Sequence, residues 1–275
     1  MSDFFEHKFY NTYYYANIVN NILSRDVELI GFISNFFADE YAILHLAKPF
    51  QKRSAFHSFI AHMIFEFFEH DMDDHDQKIF NYHKTNSYPL EPLYAESALK
   101  QYGLFDFSFQ DFSDGKQNIE YSDIEEYRDE LAITGSLEEL YDKISDEVFY
   151  LMFNNRDALL HFNYIVAEHM QVDLDEIEDD DVKLLFNKKG ILKRTRIPEW
   201  CKRAVFFRDR GRCCFCTSDL SGLRSIKSQK NYDHIVPLAQ RGLNDVSNLQ
   251  LLCDNCNQKK SGLDISTSNF YEAWY

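Results

Sequence analysis

Tyr232-Asp233-His234-Ile235-Val236-Pro237-Leu238 and, ten residues on, Asn248-Leu249-Gln250-Leu251-Leu252-Cys253-Asp254-Asn255-Cys256-Asn257 decide the fold of the C-terminal third. Asn231–Val236 has strand character, Asn248–Leu252 leads into a cysteine pair, and Cys256–Ser261 opens a helix. Upstream, Cys213-Cys214-Phe215-Cys216 supplies a second Cys-x-x-Cys pair. Two such pairs suit one tetrahedral zinc ion held by Cys213, Cys216, Cys253 and Cys256, with sulfur about 2.3 Å from the metal. Cys214 is an alternative to Cys213, although a two-residue spacing converges better. The loop of 36 residues between the pairs is longer than the common zinc-ribbon spacing and implies an insertion with work of its own. All six cysteines fall at or after Cys201, which itself reads as a small packing residue. In a reducing compartment these spacings favour metal over disulfides.

The order Asp-His-Ile-x-Pro-Leu, then Asn-Leu-Gln-x-Leu-Cys-x-x-Cys-Asn-x-x-Lys, resembles the HNH endonuclease family over about residues 200–263. The resemblance implies a ββα-metal unit: one strand carries the Asp-His pair, a second strand follows, and a helix carries the last metal ligand. It also implies roles. His234 would take the proton from the attacking water. Asp233 and Asn257 would hold a catalytic Mg²⁺ or Mn²⁺, both being hard oxygen donors. Asn248 would brace the loop or orient His234. Apart from the resemblance, Lys260 and Arg241 read either as phosphate contacts or as plain surface cations. Asn257 stands where many members have His, which bears on rate and metal preference. No other histidine follows His169, so His234 has no rival as base in this region.

Charge divides along the chain. Residues 1–186 hold 13 Lys and Arg against 37 Asp and Glu, a balance of −24, whereas residues 187–275 hold 16 against 8, a balance of +8. Only the second part has the charge of a nucleic-acid partner. It opens with the basic connector Asn187–Arg196, which marks a domain boundary after Phe186. Pro198 then starts a helix expected to turn Trp200, Ala204, Val205 and Phe207 inward. Lys202, Arg203, Arg208 and Arg210 are expected outward, with Arg208 and Arg212 as further candidate phosphate contacts.

The first 186 residues read as an acidic helical domain for recognition, regulation or oligomerisation. Phe56, Phe59, Ile60, Met63, Ile64, Phe67 and Phe68 form a helical stripe, and similar spacing recurs in residues 27–47 and 137–169. Breaks are expected around Asp71–Asp76, Tyr88–Pro92 and Ser113–Gly115. Nine of the ten histidines lie here without a tight ligand motif, so no site is assigned to them. The acidic run Asp173–Asp181 suits a solvated face or linker, or a DNA-mimicking surface.

The expected class is therefore α+β, an all-α domain followed by a zinc-stabilised ββα unit. A chain of 275 residues with 45% apolar and 16% aromatic content can bury a real core. No run reaches the roughly 18 apolar residues of a membrane span, and the N-terminus lacks a signal-peptide layout, so a cytoplasmic protein is expected. The functional expectation is a metal-dependent endonuclease hydrolysing DNA, in restriction or anti-phage defence. Alternatives are a zinc-stabilised nucleic-acid-binding module without catalysis, or an RNA-directed nuclease or toxin using the same site. Expected partners are double-stranded DNA, a second copy of the chain, and a protein docking on the acidic domain.

Overall fold

The computed structural model describes residues 8, 11–24, 30–38, 44–86, 90, 92–113, 116, 118–172, 174–175, 177–222 and 230–271. Most of these are helical, and the C-terminal part adds a two-stranded sheet, an α+β arrangement. Among the described residues no helix is long and apolar enough to cross a membrane. The chain divides into two compact units, residues 1–16 with 60–148, and residues 17–59 with 149–275. Helices are α1 (Thr12–Leu23), α2 (Ile30–Phe37), α3 (Ala55–Asn86), α4 (Tyr94–Tyr102), α5 (Phe109–Phe112), α6 (Tyr121–Ile133), α7 (Ser136–Met152), α8 (Arg156–His169), α9 (Asp180–Lys183), α10 (Glu199–Arg208) and α11 (Asp254–Lys259).

In the first unit, α3 runs straight through the acidic stretch where a break at Asp71–Asp76 was expected, and His70 and His75 are helical residues. The stretch has an inward anchor that polarity alone conceals. Asp76 is fully buried and accepts from Arg128 Nη2 at 2.8 Å and from the Tyr94 backbone N–H at 2.8 Å. Met72 continues the apolar stripe. Glu96 is likewise buried and accepts from the Phe109 N–H at 2.6 Å. Ser113 ends α5, whereas residues 87–89, 91, 114 and 115 of the other expected breaks lie outside the described residues.

In the second unit, the stripe of residues 27–47 yields α2, while 27–29 and 39–43 lie outside the described residues. The stripe of residues 137–169 begins in the first unit and is two helices, because Asn155 caps α8 by accepting from the Ala158 N–H at 3.2 Å. Phe36, Phe56, Phe59, Phe149 and Phe162 pack ring against ring. The basic connector is a closed hairpin: Phe186 bridges Leu192, and Gly190 turns at φ +67°. Residues before 187 are stitched to those after it. Buried Asp245 accepts from the Ala55 N–H at 3.0 Å, Asn244 O accepts from the Phe50 N–H at 2.8 Å, and Arg156 pairs with Asp209 at 3.0 Å. Charge thus divides the chain after Phe186, while contacts group residues 17–59 and 149–186 with residues 187–275.

The sheet consists of β1 (Lys230–His234) and β2 (Leu249–Cys253), antiparallel, with Asp233 opposite Gln250 and His234 opposite Leu249. Helix α11 follows β2 directly. The core beneath combines Leu249, Leu251 and Leu252 with Cys201, Val205, Leu220 and Phe50. Helix α10 packs with Cys201, Val205 and Arg208 inward, and Phe207 is 73% exposed, which reverses the expected places of Phe207 and Arg208.

Candidate functional site

The sulfurs of Cys213, Cys216, Cys253 and Cys256 all lie within 4.8 Å of one another, and Cys216 Sγ is 3.7 Å from Cys253 Sγ. A tetrahedron with metal–sulfur distances of about 2.3 Å has sulfur–sulfur edges of about 3.8 Å, so the cluster has the size of a zinc cage. Local backbone explains the convergence. The Thr217 N–H donates to Cys213 O at 2.8 Å, curling the first pair into a knuckle, and Thr217 adopts φ +59°. The second pair straddles the step from β2 into α11. Burial raises the Cys216 thiol, but hydrogen bonds with Ser218 and the neighbouring Cys213 and Cys256 outweigh it and bring Cys216 down to about 6. Cys214 points elsewhere, donating to Gln250 Oε1 at 3.1 Å, and burial pushes its thiol up to about 12. Cys201 is buried, and burial pushes it up to about 12 as well. The cage is therefore Cys213, Cys216, Cys253 and Cys256.

The ends of the two strands and α11 bring together the Asp-His pair. Asp233 Oδ2 accepts from Gln250 Nε2 at 3.2 Å and pairs with Lys260 Nζ at 2.9 Å. Lys260 Nζ also donates to His234 O at 2.7 Å. His234 ends β1 and is 2% exposed, and neither ring nitrogen has a hydrogen-bond partner among the described residues. Burial first, then the nearby Arg194 guanidinium, lower its pKa to about 4. Asp233 and the Asn244 side chain pull the other way, the latter from outside hydrogen-bond geometry.

The turn after β1 is fixed from within. Asn248 is fully buried; its Oδ1 accepts from the Val236 N–H at 2.8 Å, and its Nδ2 donates to Val236 O and Leu243 O, each at 2.9 Å. Gly242 makes room for this, since a Cβ there would lie 1.9 Å from Val236 O. Asn257, half-buried, is carried on α11.

Residues 213–262 match the model of the HNH endonuclease family. No curated protein and no solved structure matches the chain. The HNH segment thus takes in both cysteine pairs, both strands and α11, with the Asp-His pair at the end of β1.

Around this HNH segment the expected phosphate contacts fare differently. Lys260 is 3% exposed and spent on Asp233 and His234 O, so it is an internal strut. Arg208 is 4% exposed; it forks onto Asp209 at 2.8 and 3.0 Å and donates to Leu249 O at 2.6 Å. Both were expected at the surface, and both are drawn inward by carboxylates: buried Asp209 takes Arg208, and half-buried Asp233 takes Lys260. Arg212 is half-buried and donates to Thr217 O at 3.0 Å. Arg241 is exposed.

Three participants were missed in the sequence. Gln250 links Asp233 to Ser266 O, and its place opposite Asp233 follows from strand register. Asp209 accepts the Leu251 N–H at 2.8 Å while pairing with Arg156 and Arg208, and Arg194 acts on His234 through space. Neither carries a local sequence signal.

Proposed function

We propose that the chain is a divalent-metal-dependent endonuclease acting on DNA, with His234 as the base that takes the proton from the attacking water. The single observation behind this is the buried, unpartnered imidazole beside Asp233 within the HNH segment. Leaving a buried polar atom unsatisfied costs about 1–3 kcal/mol, and at the end of β1 within the HNH segment that cost supports a role for the ring in the reaction. With a pKa of about 4 the ring is neutral at neutral pH, the form that accepts a proton. Because the ring is buried, neighbouring side chains must shift for a phosphate to reach it.

Asp233 and Asn257 have the donor chemistry for Mg²⁺ or Mn²⁺, a carboxylate and an amide oxygen. The side-chain contacts of Asp233 among the described residues fall on Oδ2. The ion, when bound, would offset charge on the phosphate and the leaving oxygen. Lys260 holds the Asp233 carboxylate in place through Oδ2, and Gln250 fixes it from the opposite strand. Asn248 sets the turn that follows His234. The zinc cage ties the start of the segment to its helix and takes no part in proton transfer.

The +8 balance of residues 187–275 supports a nucleic-acid substrate. We attach to this reading a setting in restriction or anti-phage defence, and two copies for double-strand cutting, since one site makes one cut. The test is incubation of the full chain with plasmid, single-stranded DNA and RNA, with Mg²⁺, with Mn²⁺ and with neither, alongside His234→Ala. Metal-dependent cleavage of DNA that the variant loses is expected. Cleavage of RNA alone would reassign the substrate, and equal behaviour of wild type and variant on every substrate would end the nuclease reading.

A further inference from the structure

We propose that the cleft between the Asn187–Gly190 turn and Arg241 is a cradle for the phosphodiester backbone of the substrate strand. The inference rests on the nuclease reading above and adds to it a binding surface that the family resemblance does not supply.

The cleft is a shallow, open one of about 550 Å³, lined by Lys188, Lys189 and Arg241, with Gln171 and Asp175 beside them. Its two cationic walls are built, not loose. On one side the Asn187 N–H donates to Ile191 O at 2.8 Å, and Asn187 Oδ1 accepts from the Lys189 N–H at 2.8 Å, which presents Lys188 and Lys189 at the tip of a tight turn. Gly190 lets this turn press against the preceding chain: a Cβ there would meet Val172 O at 2.8 Å. On the other side, Arg241 holds φ +63°, a left-handed conformation that a non-glycine residue rarely adopts. Its N–H donates to Leu238 O at 2.9 Å, and the Gly242 N–H to Pro237 O at 3.1 Å.

Both walls are tied to the candidate active site. Arg241 lies in the turn that Asn248 clamps through Val236, two residues after His234. Asn244, in that same turn, donates to Lys193 O at 2.8 Å, fastening the outgoing arm of the hairpin. Arg194, the next residue, lies close enough to act on His234.

Among the described residues that line the cleft, three cations stand against one carboxylate, which suits a polyanion with one charge per nucleotide, bound without base readout. Asp175 opposes that charge and sets the affinity below what the cations alone would give.

The test uses the full chain carrying His234→Ala, a labelled duplex and anisotropy over a salt series without added divalent metal. Replacing Lys188, Lys189 and Arg241 together by alanine is expected to weaken binding at least about tenfold and to reduce the slope of log affinity against log salt by about 3. Asp175→Asn is expected to tighten binding, a gain that misfolding does not produce. Unchanged slope and affinity in the triple variant would overturn the cradle while leaving the nuclease reading intact, provided the wild type cleaves. Saturation of the cleft by inorganic phosphate with duplex binding undiminished would also overturn it, assigning the cleft to a free anion. A wild type that neither binds nor cleaves nucleic acid removes both.

Discussion

Lys260 Nζ lies 2.9 Å from Asp233 Oδ2 and 2.7 Å from His234 O, so one buried ammonium joins α11 to both residues of the Asp-His pair. Lys260→Met removes that charge and leaves a carboxylate and a carbonyl short of a donor. A loss of about 2–3 kcal/mol is expected, below the cost of splitting a fully buried pair because Asp233 keeps contact with water. Urea unfolding measures it. A stability equal to wild type, with only a weaker salt dependence of DNA binding, would return Lys260 to the surface.

The cage predicts about one zinc per chain, and Cys216→Ser or Cys253→Ser should lose it together with cooperative unfolding of the segment. Cys214→Ser should keep the metal, because its sulfur faces Gln250. Metal analysis of purified protein distinguishes these variants, and equal loss from Cys214→Ser would mean that the knuckle uses a different pair.

Two buried histidines make the fold acid-sensitive. Burial, aided by Arg53, lowers His57 to about 3, and burial with Arg194 lowers His234 to about 4, both from 6.5. Each folded-state pKa lies below the unfolded one, so the unfolded chain takes up protons first as pH falls below 6.5. Stability is whole above that pH and declines as pH falls toward 4 and then 3. Thermal unfolding followed from neutral pH downward should show this decline, and it should be shallower in His57→Gln. An unchanged slope would place the sensitivity elsewhere.

Gly242→Ala tests the turn after β1. The added Cβ would fall 1.9 Å from Val236 O and 2.8 Å from Asn248 Nδ2, so the turn must open. Asn248→Ala leaves the Val236 and Leu243 backbone groups unpaired and should cost about 3 kcal/mol or more. Both variants should lose activity through misplacement of His234, seen as broadened or shifted imidazole resonances. A variant with native resonances and native stability would show that the turn is not held this way.

The cysteine cage was legible because spacing carries it, and the ββα unit because the Asp-His and Asn-Leu-Gln motifs resemble those of the HNH family. Strand bounds moved by only a residue or two, Asn231–Val236 becoming Lys230–His234. What stayed hidden depends on distant partners. Nothing local in Arg208 says that Asp209 is buried beneath it, nor in Asp76 that Arg128 crosses from α6 to meet it. The same blindness produced the false break in α3, since a run of aspartates looks like a turn until one of them finds a guanidinium.

Asp209 receives Arg208 from its own helix, Arg156 from α8 and the Leu251 N–H from β2. The Arg156 side chain in turn holds the carbonyls of Ser268 and Phe270. A segment cut out at residue 187 and grafted onto a foreign domain would leave Arg156 behind, and with it the anchor that holds the backbone of Ser268 and Phe270.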